Sequence, residues 1–423
     1  MRVAQGAPYL VDAAGRPFLI HGDSPWSLIA DLPIEDARSY LDDRRRRGFN
    51  TLLVNLLEAL FARQSPRNFY GEAPFTTPGD FGTPSGAYFD HADRVLDEAE
   101  ARGMLVLLAP AYLGAREGAE GWYPAMRRSG PDKLGAYGRY LGQRFGRRTN
   151  IMWMHGGDLS PPETDLVTAV ADGIEKTAPG MLHSAHCQPE HMAVDIFGGR
   201  AWLQVNTLYT YGPVHLQAVR GLPVRARMPS FLIESAYEDE SGTGAPADAR
   251  RCRTQAYQAL LTGACGHVYG NNPIWHFEGP GLGPPPTDWR SALDSAGARS
   301  MTVLKAIFDD LPWWTLVPDT SRRWLVDGHG PDEDWAVAAS SDAGDHFLAY
   351  LPSARPVTLD LHRLARGDIE GRWIDPATGA SLPAPGTETV SRAFKLLEPP
   401  RSSDSTPRDW LLHVRVRGGE VAR

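Results

Sequence analysis

Two segments of the chain are apolar runs of strand length that end in a carboxylate. They are Ile151-Met-Trp-Met-His-Gly-Gly-Asp158 and Ser230-Phe-Leu-Ile-Glu-Ser235. A carboxylate at the end of a buried strand carries a desolvation cost, so each of these acidic side chains calls for a specific role. Carboxylates on two different strands can supply the acid/base and the nucleophile that cleave a glycosidic bond. Asp158 and Glu234 are therefore the candidate catalytic residues.

Each carboxylate also has a structural interpretation. Asp158 would be an N-cap of the next helix, but Ser160 lies closer to that helix and is a better cap. Glu234 would be the partner of an arginine on a neighbouring strand, which also demands specific contacts. The glycines Gly156 and Gly157 permit unusual backbone angles and a close approach of substrate to the chain. Catalysis is the interpretation that we favour at both positions.

Further polar and aromatic residues lie at the ends of predicted strands. Each of these residues alone is more often a core or surface residue than a substrate contact. Together they offer hydroxyl-binding groups and stacking surfaces for a polyol. The residues expected to contact a substrate are Asp23, Trp26, Glu58, His155, Asn206, Tyr209, Asn271 and Trp275. Glu238, Asp239 and Glu240 follow the second catalytic candidate in a polar loop and are expected to be solvated.

A metal-binding alternative rests on His183-x-x-His186, with Cys187 and His191 nearby, which imitates a zinc-ligand cluster. If Met181–His186 is a strand, the two histidines of this motif point to opposite faces. The sequence also has no P-loop, no G-x-G-x-x-G after a strand and no G-x-S-x-G motif. We therefore expect neither a metal nor another cofactor.

The elements that must position these residues form a repeating pattern. Eight strand-length apolar segments are expected at Phe18–Ser24, Thr51–Leu57, Met104–Tyr112, Ile151–Asp158, Met181–His186, Trp202–Tyr209, Ser230–Ser235 and Ala264–Asn271. Helices are predicted over Ile34–Arg47, Asp90–Arg102, Ala247–Leu261 and Trp289–Leu311. Continuous apolar strands alternating with helices predict an α/β fold, a (β/α)8 TIM barrel whose catalytic residues lie at strand C-termini.

Two features qualify this repeat. The segment Phe61–Tyr88 is predicted to be a long loop on the catalytic side, forming a wall or a lid. The basic run Arg44–Arg47 is interpreted as the solvated end of a helix, where cations suit the helix dipole.

The distance between the two candidate carboxyl groups would indicate the stereochemistry of the reaction. In the barrel, carboxyl groups about 5 Å apart would give retention of anomeric configuration, and about 6.5–9.5 Å would give inversion.

The texture of the sequence changes after about Leu316. Short segments that alternate apolar with polar residues predict a small antiparallel β-sandwich. They are Arg323–Val326, Trp335–Ser340, His346–Leu351, Val357–Leu361, Gly371–Ile374 and Trp410–Val414, followed or separated by loops such as Pro399–Pro407. We therefore expect a catalytic barrel over residues 1–315 and a β-sandwich domain over residues 316–423.

The overall composition bounds the partners. A net charge of −8 over 423 residues argues against nucleic acid, because phosphate binding needs a basic surface. No apolar run reaches the ~18 residues of a membrane helix, so no membrane contact is expected. The N-terminus shows no apolar signal-peptide region, which predicts a cytoplasmic protein, or an exported one if a leader was removed. The three cysteines show no C-x-x-C pair, and the oligomeric state is left open.

Four motifs together resemble the apiosidase-like barrel proteins, a group related to glycoside hydrolase family 140. Besides Ile151–Asp158, they are Pro17-Phe-Leu-Ile-His-Gly-Asp-Ser-Pro-Trp26, Gly48-Phe-Asn-Thr51 and Gly266-His-Val-Tyr-Gly-Asn-Asn-Pro-Ile-Trp275. The resemblance covers about residues 5–315, and the tail resembles a small β-domain named for collagen binding. It implies a retaining glycosidase in which Asp158 matches the acid/base and Glu234 the nucleophile.

The function expected from these observations is hydrolysis of a glycosidic bond in an oligosaccharide or glycoside. The enzyme is expected to act from the chain end on a pentose or deoxy-sugar such as apiose. Two alternatives remain open at this stage. One is a carbohydrate-binding protein on a catalytically inactive barrel, and the other is a metal-dependent hydrolase.

Overall fold

The computed structural model describes residues 1–240, 246–387, 393–400 and 408–417. Its N-terminal part contains a sheet of eight parallel strands that curves into a nearly closed barrel. The barrel strands are β1 (Ile20–Asp23), β2 (Thr51–Asn55), β3 (Leu105–Ala109), β4 (Ile151–Gly156), β5 (Leu182–His186), β6 (Asn206–Tyr209), β7 (Ser230–Glu234) and β8 (Gly266–Tyr269). The order in the sheet is β5-β4-β3-β2-β1-β8-β7-β6. All eight predicted strands and the predicted barrel are thus confirmed.

Hydrogen bonds also cross the seam between β5 and β6, where the ladder is irregular. The backbone N–H of Gln204 donates to the carbonyl of His183 at 3.1 Å. The hydroxyl of Ser184 donates to the carbonyl of Val205 at 2.7 Å, and that of Thr207 donates to the carbonyl of Ala185 at 2.5 Å. Side-chain hydrogen bonds therefore help to join the two strands at this seam, where the backbone ladder is irregular.

Helices follow the strands around the barrel. They are α1 (Leu28–Asp31), α2 (Ile34–Arg46), α3 (Gly86–Ala101), α4 (Ala115–Gly118), α5 (Tyr123–Phe145), α6 (Thr164–Thr177), α7 (Ala193–Phe197), α8 (Val214–Arg225), α9 (Ala249–Leu261), α10 (Trp289–Ala292) and α11 (Ala296–Asp309). None of the helices in the described ranges combines the length and apolarity needed to cross a membrane. The crossover between β5 and β6 is short, with the five-residue α7 as its helix.

One helix prediction is wrong. The single helix expected over Trp289–Leu311 is two helices, α10 and α11, because each has its own N-cap. The side chain of Asp288 accepts hydrogen bonds from the N–H groups of Arg290 and Ser291. The side chain of Ser295 accepts one from the N–H of Ala298, which starts the second helix in a new direction.

Side chains along each barrel strand alternate between two apolar clusters. On β4, Met152 and Met154 belong to the cluster that fills the barrel, whereas Ile151 and Trp153 pack in the outer layer against the helices. Burial on both faces explains why these strands are continuous apolar runs in the sequence. The same alternation decides which side chain at a strand end faces the mouth of the barrel.

Additional segments surround the barrel ends. A small antiparallel sheet of Arg2–Val3, Leu10–Val11 and Pro17–Phe18 precedes β1 and places Leu10 in the inner cluster. The long loop after β2 packs Phe75 and Phe81 against aromatic rings of the outer layer. Its first residue, Phe61, lines the cavity described below, so part of this loop forms a wall.

The C-terminal part is a two-layer antiparallel β-structure. Its strands are β9 (Leu316–Pro318), β10 (Leu325–Asp327), β11 (Val337–Ser341), β12 (His346–Leu351), β13 (Val357–Asp360), β14 (Asp368–Ile374), β15 (Ser381–Pro383), β16 (Phe394–Leu397) and β17 (Trp410–Arg417). One sheet has the order β9-β11-β12-β17-β14-β15, and the other has the order β10-β13-β16. The six predicted strands are all present, whereas β9, β15 and β16 were not predicted. Residues 401–407 of the expected loop lie outside the described residues.

The larger sheet of the sandwich packs on helix α9 of the barrel. The ring of Tyr350 stacks on that of Tyr257, with centroids 4.6 Å apart and planes within 8°. Beside them, Arg253 donates two hydrogen bonds of 2.7 Å to the carboxylate of Asp409, and both side chains are buried. Residues of this sheet, such as Leu348, join the outer apolar cluster of the barrel. The two parts therefore share a continuous core.

Candidate active site

A cavity of about 430 Å³ opens at the C-terminal end of the barrel strands. Active sites of this barrel type lie at that end, and the volume is within the ~300–1,000 Å³ of small-molecule sites. Its walls are rich in aromatic and acidic side chains. They include Trp26, Phe61, Tyr112, Tyr209, Tyr211, Tyr237 and Trp275, together with Glu58, Glu120, Asp158, Glu234 and Glu240.

The two predicted catalytic carboxylates meet in this cavity. One oxygen of Asp158, one oxygen of Glu234 and a ring nitrogen of His186 all lie within 4.8 Å of one another. Both carboxylates line the cavity, whereas the His186 ring is buried behind its wall. The arrangement places two acidic groups within reach of a single bond in a bound ligand.

A β-bulge turns Glu234 into the cavity. Phe231 and Ile233 of β7 both point into the barrel, so strict alternation would direct Glu234 outward. In the pairing of β7 with β6, Leu232 lies opposite Leu208, but Glu234 already lies opposite Tyr209. The extra residue on β7 re-aims the last side chain of the strand, which is a common function of bulges near active sites.

Four donors surround the Glu234 carboxylate. The hydroxyl groups of Tyr209 and Tyr211 donate to Oε1 at 2.9 and 2.8 Å. Tyr237 donates to Oε2 at 3.0 Å, and Nε2 of His186 lies 3.1 Å from the same oxygen. Hydrogen bonds of this kind favour the charged form of a carboxylate, which is the form required of a nucleophile.

Asp158 is held by one hydroxyl group and by the backbone before it. Tyr112 donates to Oδ2 at 2.6 Å, while Oδ1 has no hydrogen-bond partner among the described residues. Gly156 and Gly157 have φ angles of 91° and 150°. A Cβ at the first would lie 2.2 Å from the His186 carbonyl oxygen, and at the second 2.7 Å from the Leu113 nitrogen. The glycines thus permit the close approach of the end of β5 and of the loop after β3.

The pKa values of the two carboxylates are shifted in opposite directions. Burial and the negative charge of Glu234 raise the pKa of Asp158 to about 6. Burial also raises the pKa of Glu234, but the hydrogen bond and charge of His186, together with the tyrosine hydroxyls, outweigh it and leave this pKa below its ordinary value. A pair of acids separated in this way suits one proton donor and one anion at the same pH.

Of the eight predicted substrate contacts, Trp26, Glu58, Tyr209 and Trp275 reach the cavity. Trp26 donates through Nε1 to the hydroxyl of Tyr237 at 2.9 Å, and so supports a donor to the nucleophile candidate. Trp275 donates through Nε1 to Glu240 at 2.7 Å. Both indole rings thus have fixed orientations and offer stacking surfaces for a sugar.

Glu58 lines the cavity, but its oxygens are occupied by protein groups. Oε1 accepts from the backbone N–H groups of Leu60 and Phe61, both at 3.1 Å. Oε2 accepts from Ser27 at 3.1 Å and from Asn55 at 3.0 Å. This carboxylate therefore shapes the loop after β2.

The other four predicted contacts do not line the cavity. Asp23 points away from the barrel axis and pairs with Nε of the fully buried Arg44 at 2.5 Å. The basic run is therefore not wholly solvated, because Arg44 is its first member. His155 follows the inward-facing Met154 and consequently faces outward, where Nε2 lies 2.9 Å from Nδ1 of His183.

The two asparagines are displaced for similar reasons. Asn206 shares the outer face of β6 with Leu208 and accepts a hydrogen bond from the N–H of Val194 at 3.1 Å. Asn271 follows β8 and donates to Glu238 at 3.3 Å. Glu238 is buried and also accepts from the N–H of Gly297 at 2.7 Å, so its predicted solvation is wrong.

The structure also adds residues that were not among the predicted contacts. Tyr112, Tyr211 and Tyr237 surround the two carboxylates, and Glu240 lines the cavity instead of being solvated. Tyr112 ends one predicted strand and Tyr211 follows another. Their positions at strand ends could therefore have indicated that they line the cavity. Tyr237 lies in an irregular segment after β7, where no periodicity predicts the direction of a side chain.

The ligand cluster considered around His183-x-x-His186 does not form. His183 and His186 lie on opposite faces of β5, as expected from alternation, and contact His155 and Glu234 respectively. Among the described residues, the acidic and histidine groups that cluster closely are Asp158, His186 and Glu234. Both ring nitrogens of His186 have near neighbours, since Nδ1 lies 3.0 Å from the Cys187 carbonyl oxygen and Nε2 lies 3.1 Å from Oε2 of Glu234.

Comparison with known structures agrees with the fold over nearly the whole chain. A structure described as a glycoside hydrolase is 23% identical, with 99% of this chain and 97% of that chain covered and a TM-score of 0.86. A glycoside hydrolase family 5 protein from Bacteroides vulgatus ATCC 8482 is also 23% identical, with 100% and 94% covered and a TM-score of 0.84. Among curated proteins, none matches the sequence.

Comparison with protein families assigns both parts of the chain. The model described as "Apiosidase-like, catalytic domain" matches residues 4–315, and that described as "Putative collagen-binding domain of a collagenase" matches residues 317–415. The first match covers well over half of the chain and contains both carboxylates of the cavity. The chain therefore belongs to the apiosidase-like family and is a glycoside hydrolase.

Proposed function

We propose that this enzyme hydrolyses a glycosidic bond with retention of configuration, with Glu234 as nucleophile and Asp158 as acid/base. The observation that carries the proposal is the spacing of the two carboxylates, which have oxygens within 4.8 Å of each other. Retaining enzymes hold their carboxyl groups about 5–5.5 Å apart, whereas inverting enzymes need about 6.5–9.5 Å to admit a water molecule.

The first half of the reaction uses the opposite protonation of the two groups. Glu234 attacks the anomeric carbon while the glycosidic C–O bond breaks, and the proton of Asp158 passes to the leaving oxygen. The raised pKa of Asp158, about 6, keeps a proton available, and the lowered pKa of Glu234 keeps the nucleophile ionised.

The second half of the reaction returns the enzyme to its starting state. Asp158, now a carboxylate, accepts a proton from water as the water oxygen bonds to the anomeric carbon. The ester bond to Glu234 breaks, and two inversions at the same carbon give net retention. Tyr209 and Tyr211 then donate again to the freed carboxylate oxygen.

The shape of the cavity supports action on a terminal sugar with few hydroxyl groups. The volume of about 430 Å³ lies at the lower end of the small-molecule range. Aromatic rings such as Trp26, Phe61 and Trp275 occupy much of its wall, and Glu58 is already saturated by protein donors. Together with the family assignment, these features favour a pentose or deoxy-sugar, with apiose as the first candidate.

The test is hydrolysis of a panel of aryl glycosides, furanosides included, by the wild type and by the Asp158→Ala and Glu234→Ala variants. We expect the wild type to cleave one sugar and both variants to lose cleavage. Asp239→Asn is the matched control, because Asp239 lies close to Glu234 in sequence but does not line the cavity. NMR of the first product formed reports its anomeric configuration.

Two outcomes would overturn parts of the proposal. An initial product of inverted configuration would exclude the double displacement, and full activity in Glu234→Ala would exclude this residue as nucleophile.

If azide restores turnover to Glu234→Ala and yields a glycosyl azide of opposite configuration, the role of Glu234 as nucleophile is established independently. If no sugar in the panel is cleaved, binding on a glycan array distinguishes a catalytically inactive barrel from an enzyme that needs a particular aglycone.

A further inference from the structure

We propose that His186 is a positioning residue held as an imidazolium, and that it is the shared counter-ion of both catalytic carboxylates. It would compensate Glu234 in the free enzyme and Asp158 once Glu234 is esterified. This inference rests on the proposed double displacement, but its main test below does not require turnover.

The contacts of the ring assign its protons. Nδ1 lies 3.0 Å from the backbone carbonyl oxygen of Cys187, which only accepts hydrogen bonds, so Nδ1 must carry a hydrogen. Nε2 lies 3.1 Å from Oε2 of Glu234. When Glu234 is ionised, this oxygen also only accepts, and Nε2 must therefore carry a hydrogen as well. A ring that donates from both nitrogens is an imidazolium.

The second carboxylate faces the other side of the same ring. Oδ1 of Asp158 lies 3.7 Å from Nδ1 of His186. This oxygen is buried and has no hydrogen-bond partner in the described part of the chain. The ring thus lies between an ionised nucleophile and the unoccupied oxygen of the acid/base.

The remaining groups around the ring are neutral. The edge of Trp26 and the ring of Tyr209 pack against it, with centroids 5.4 and 4.9 Å away. The tyrosines that contact the two carboxylates have pKa values well above their ordinary value, because burial and the nearby carboxylates disfavour the phenolate. The charged groups that face His186 from these elements are therefore Asp158 and Glu234.

No other cation takes this position among the described residues that line the cavity. Arg251 is the basic side chain among them, and its guanidinium donates to the carbonyl of Tyr211 and lies 3.7 Å from Glu333. The raised pKa of His186 agrees with the geometry: burial lowers it, but the hydrogen bond and charge of Glu234 and the charge of Asp158 outweigh burial.

Charge conservation explains what a shared counter-ion contributes. In the free enzyme the charges are −1 on Glu234, +1 on His186 and zero on protonated Asp158. In the glycosyl-enzyme, Glu234 is a neutral ester, Asp158 has lost its proton to the leaving group, and His186 is still +1. The buried group of three is neutral in both states, so no step leaves an uncompensated charge in a medium of low polarity.

The direct test is the pKa of His186, measured from the 15N shifts of both ring nitrogens, with His186→Gln used to assign the signals. We expect a pKa above the ordinary ~6.5 in the wild type and in each of the variants Glu234→Gln and Asp158→Asn. In the double variant no carboxylate faces the ring, and burial should lower the pKa below ~6.5. A neutral ring in the wild type at pH 6, or a pKa that the double substitution leaves unchanged, would overturn the proposal.

A kinetic test uses His186→Gln and, as matched control, His183→Gln on the outer face of the same strand. Without the imidazolium, both carboxylates should bind protons more tightly, so both limbs of the pH profile of kcat/KM should move to higher pH. The control should leave both limbs in place. Equal losses of activity in both variants without a shift would indicate a merely structural role. Absence of hydrolysis by the wild type would count against the proposed function, and the 15N result would still decide the role of His186.

Discussion

Glu234 illustrates how single residues determine this site. Its carboxylate receives donors from three tyrosines and a histidine, and these come from β5, β6 and the segments after β6 and β7. No single element therefore positions the proposed nucleophile. Asp158 has the contrasting environment, with one tyrosine donor and one oxygen that has no partner in the described ranges. The difference in hydrogen bonding supports the opposite roles proposed for the two carboxylates.

The pKa of Asp158 gives the first prediction at the residue scale. As pH rises through about 6 the acid loses its proton, so kcat/KM of the wild type should fall with a limb near this pH. The hydroxyl of Tyr112 donates to the carboxylate form and lowers this pKa. Tyr112→Phe should therefore move the alkaline limb upward, which a pH–rate profile would show. A downward shift would contradict the assigned hydrogen bond.

The sequence indicates which residues lie at strand ends, but it does not always indicate the direction in which their side chains point. Asp158 and Glu234 were predictable because a carboxylate after an apolar strand is costly and therefore informative. His155 was expected to contact substrate but does not line the cavity, and counting alternate positions from Met154 would have directed it outward. The same count would have directed Glu234 outward as well, and only the bulge in β7 reverses it. Bulges leave no clear pattern in a single sequence.

Among the elements, β1 and α2 are joined by a buried ion pair. The carboxylate of Asp23 accepts from Arg44 at 2.5 Å and from Tyr40 at 2.6 Å, and both charged side chains are fully buried. This pair links helix α2 to strand β1. The strand and the helix were each predicted, but their pairing joins residues that are 21 positions apart and has no local signal.

This ion pair gives a prediction at the scale of elements. Asp23→Asn removes one charge and leaves Asp43, at 3.1 Å, as the remaining carboxylate partner of the buried Arg44. Breaking one pair of a buried ion-pair group typically costs about 3–5 kcal/mol. We expect the free energy of unfolding in urea to fall by this amount, while kcat/KM of the folded enzyme stays near that of the wild type. A large loss of kcat/KM with unchanged stability would restore Asp23 as a substrate contact.

The whole molecule behaves as two domains with one continuous core. Helix α9 lies between β7, which carries Glu234, and β8, and the sandwich covers its outer side through Tyr350 and Asp409. The sandwich itself was predictable from alternating strands and turn residues. Its contact with the barrel was not, because Arg253 and Asp409 are 156 positions apart and each is unremarkable in its local sequence.

The shared core gives a prediction for the whole molecule. Asp409→Asn leaves Arg253 buried without a carboxylate and should lower the free energy of unfolding by about 3–5 kcal/mol. Calorimetry of the wild type should show one transition, because the barrel and the sandwich share apolar contacts. Glu370→Ala is the control within the same sandwich, since its ion pairs with arginines are at the surface and should contribute less than about 1 kcal/mol. Two separate transitions in the wild type would contradict the shared core.

The packing of the sandwich on α9 has a consequence for how such proteins can change over generations. A barrel that kept its catalytic residues but lost the sandwich would expose the ring of Tyr257. It would also leave the guanidinium of Arg253 without its carboxylate partner. Shuffling of the two halves as independent modules is therefore constrained, since any replacement must present both an aromatic ring and a carboxylate to the same helix. The ancestry of the tail should follow that of the barrel, even though none of the tail residues that the structure describes lines the cavity.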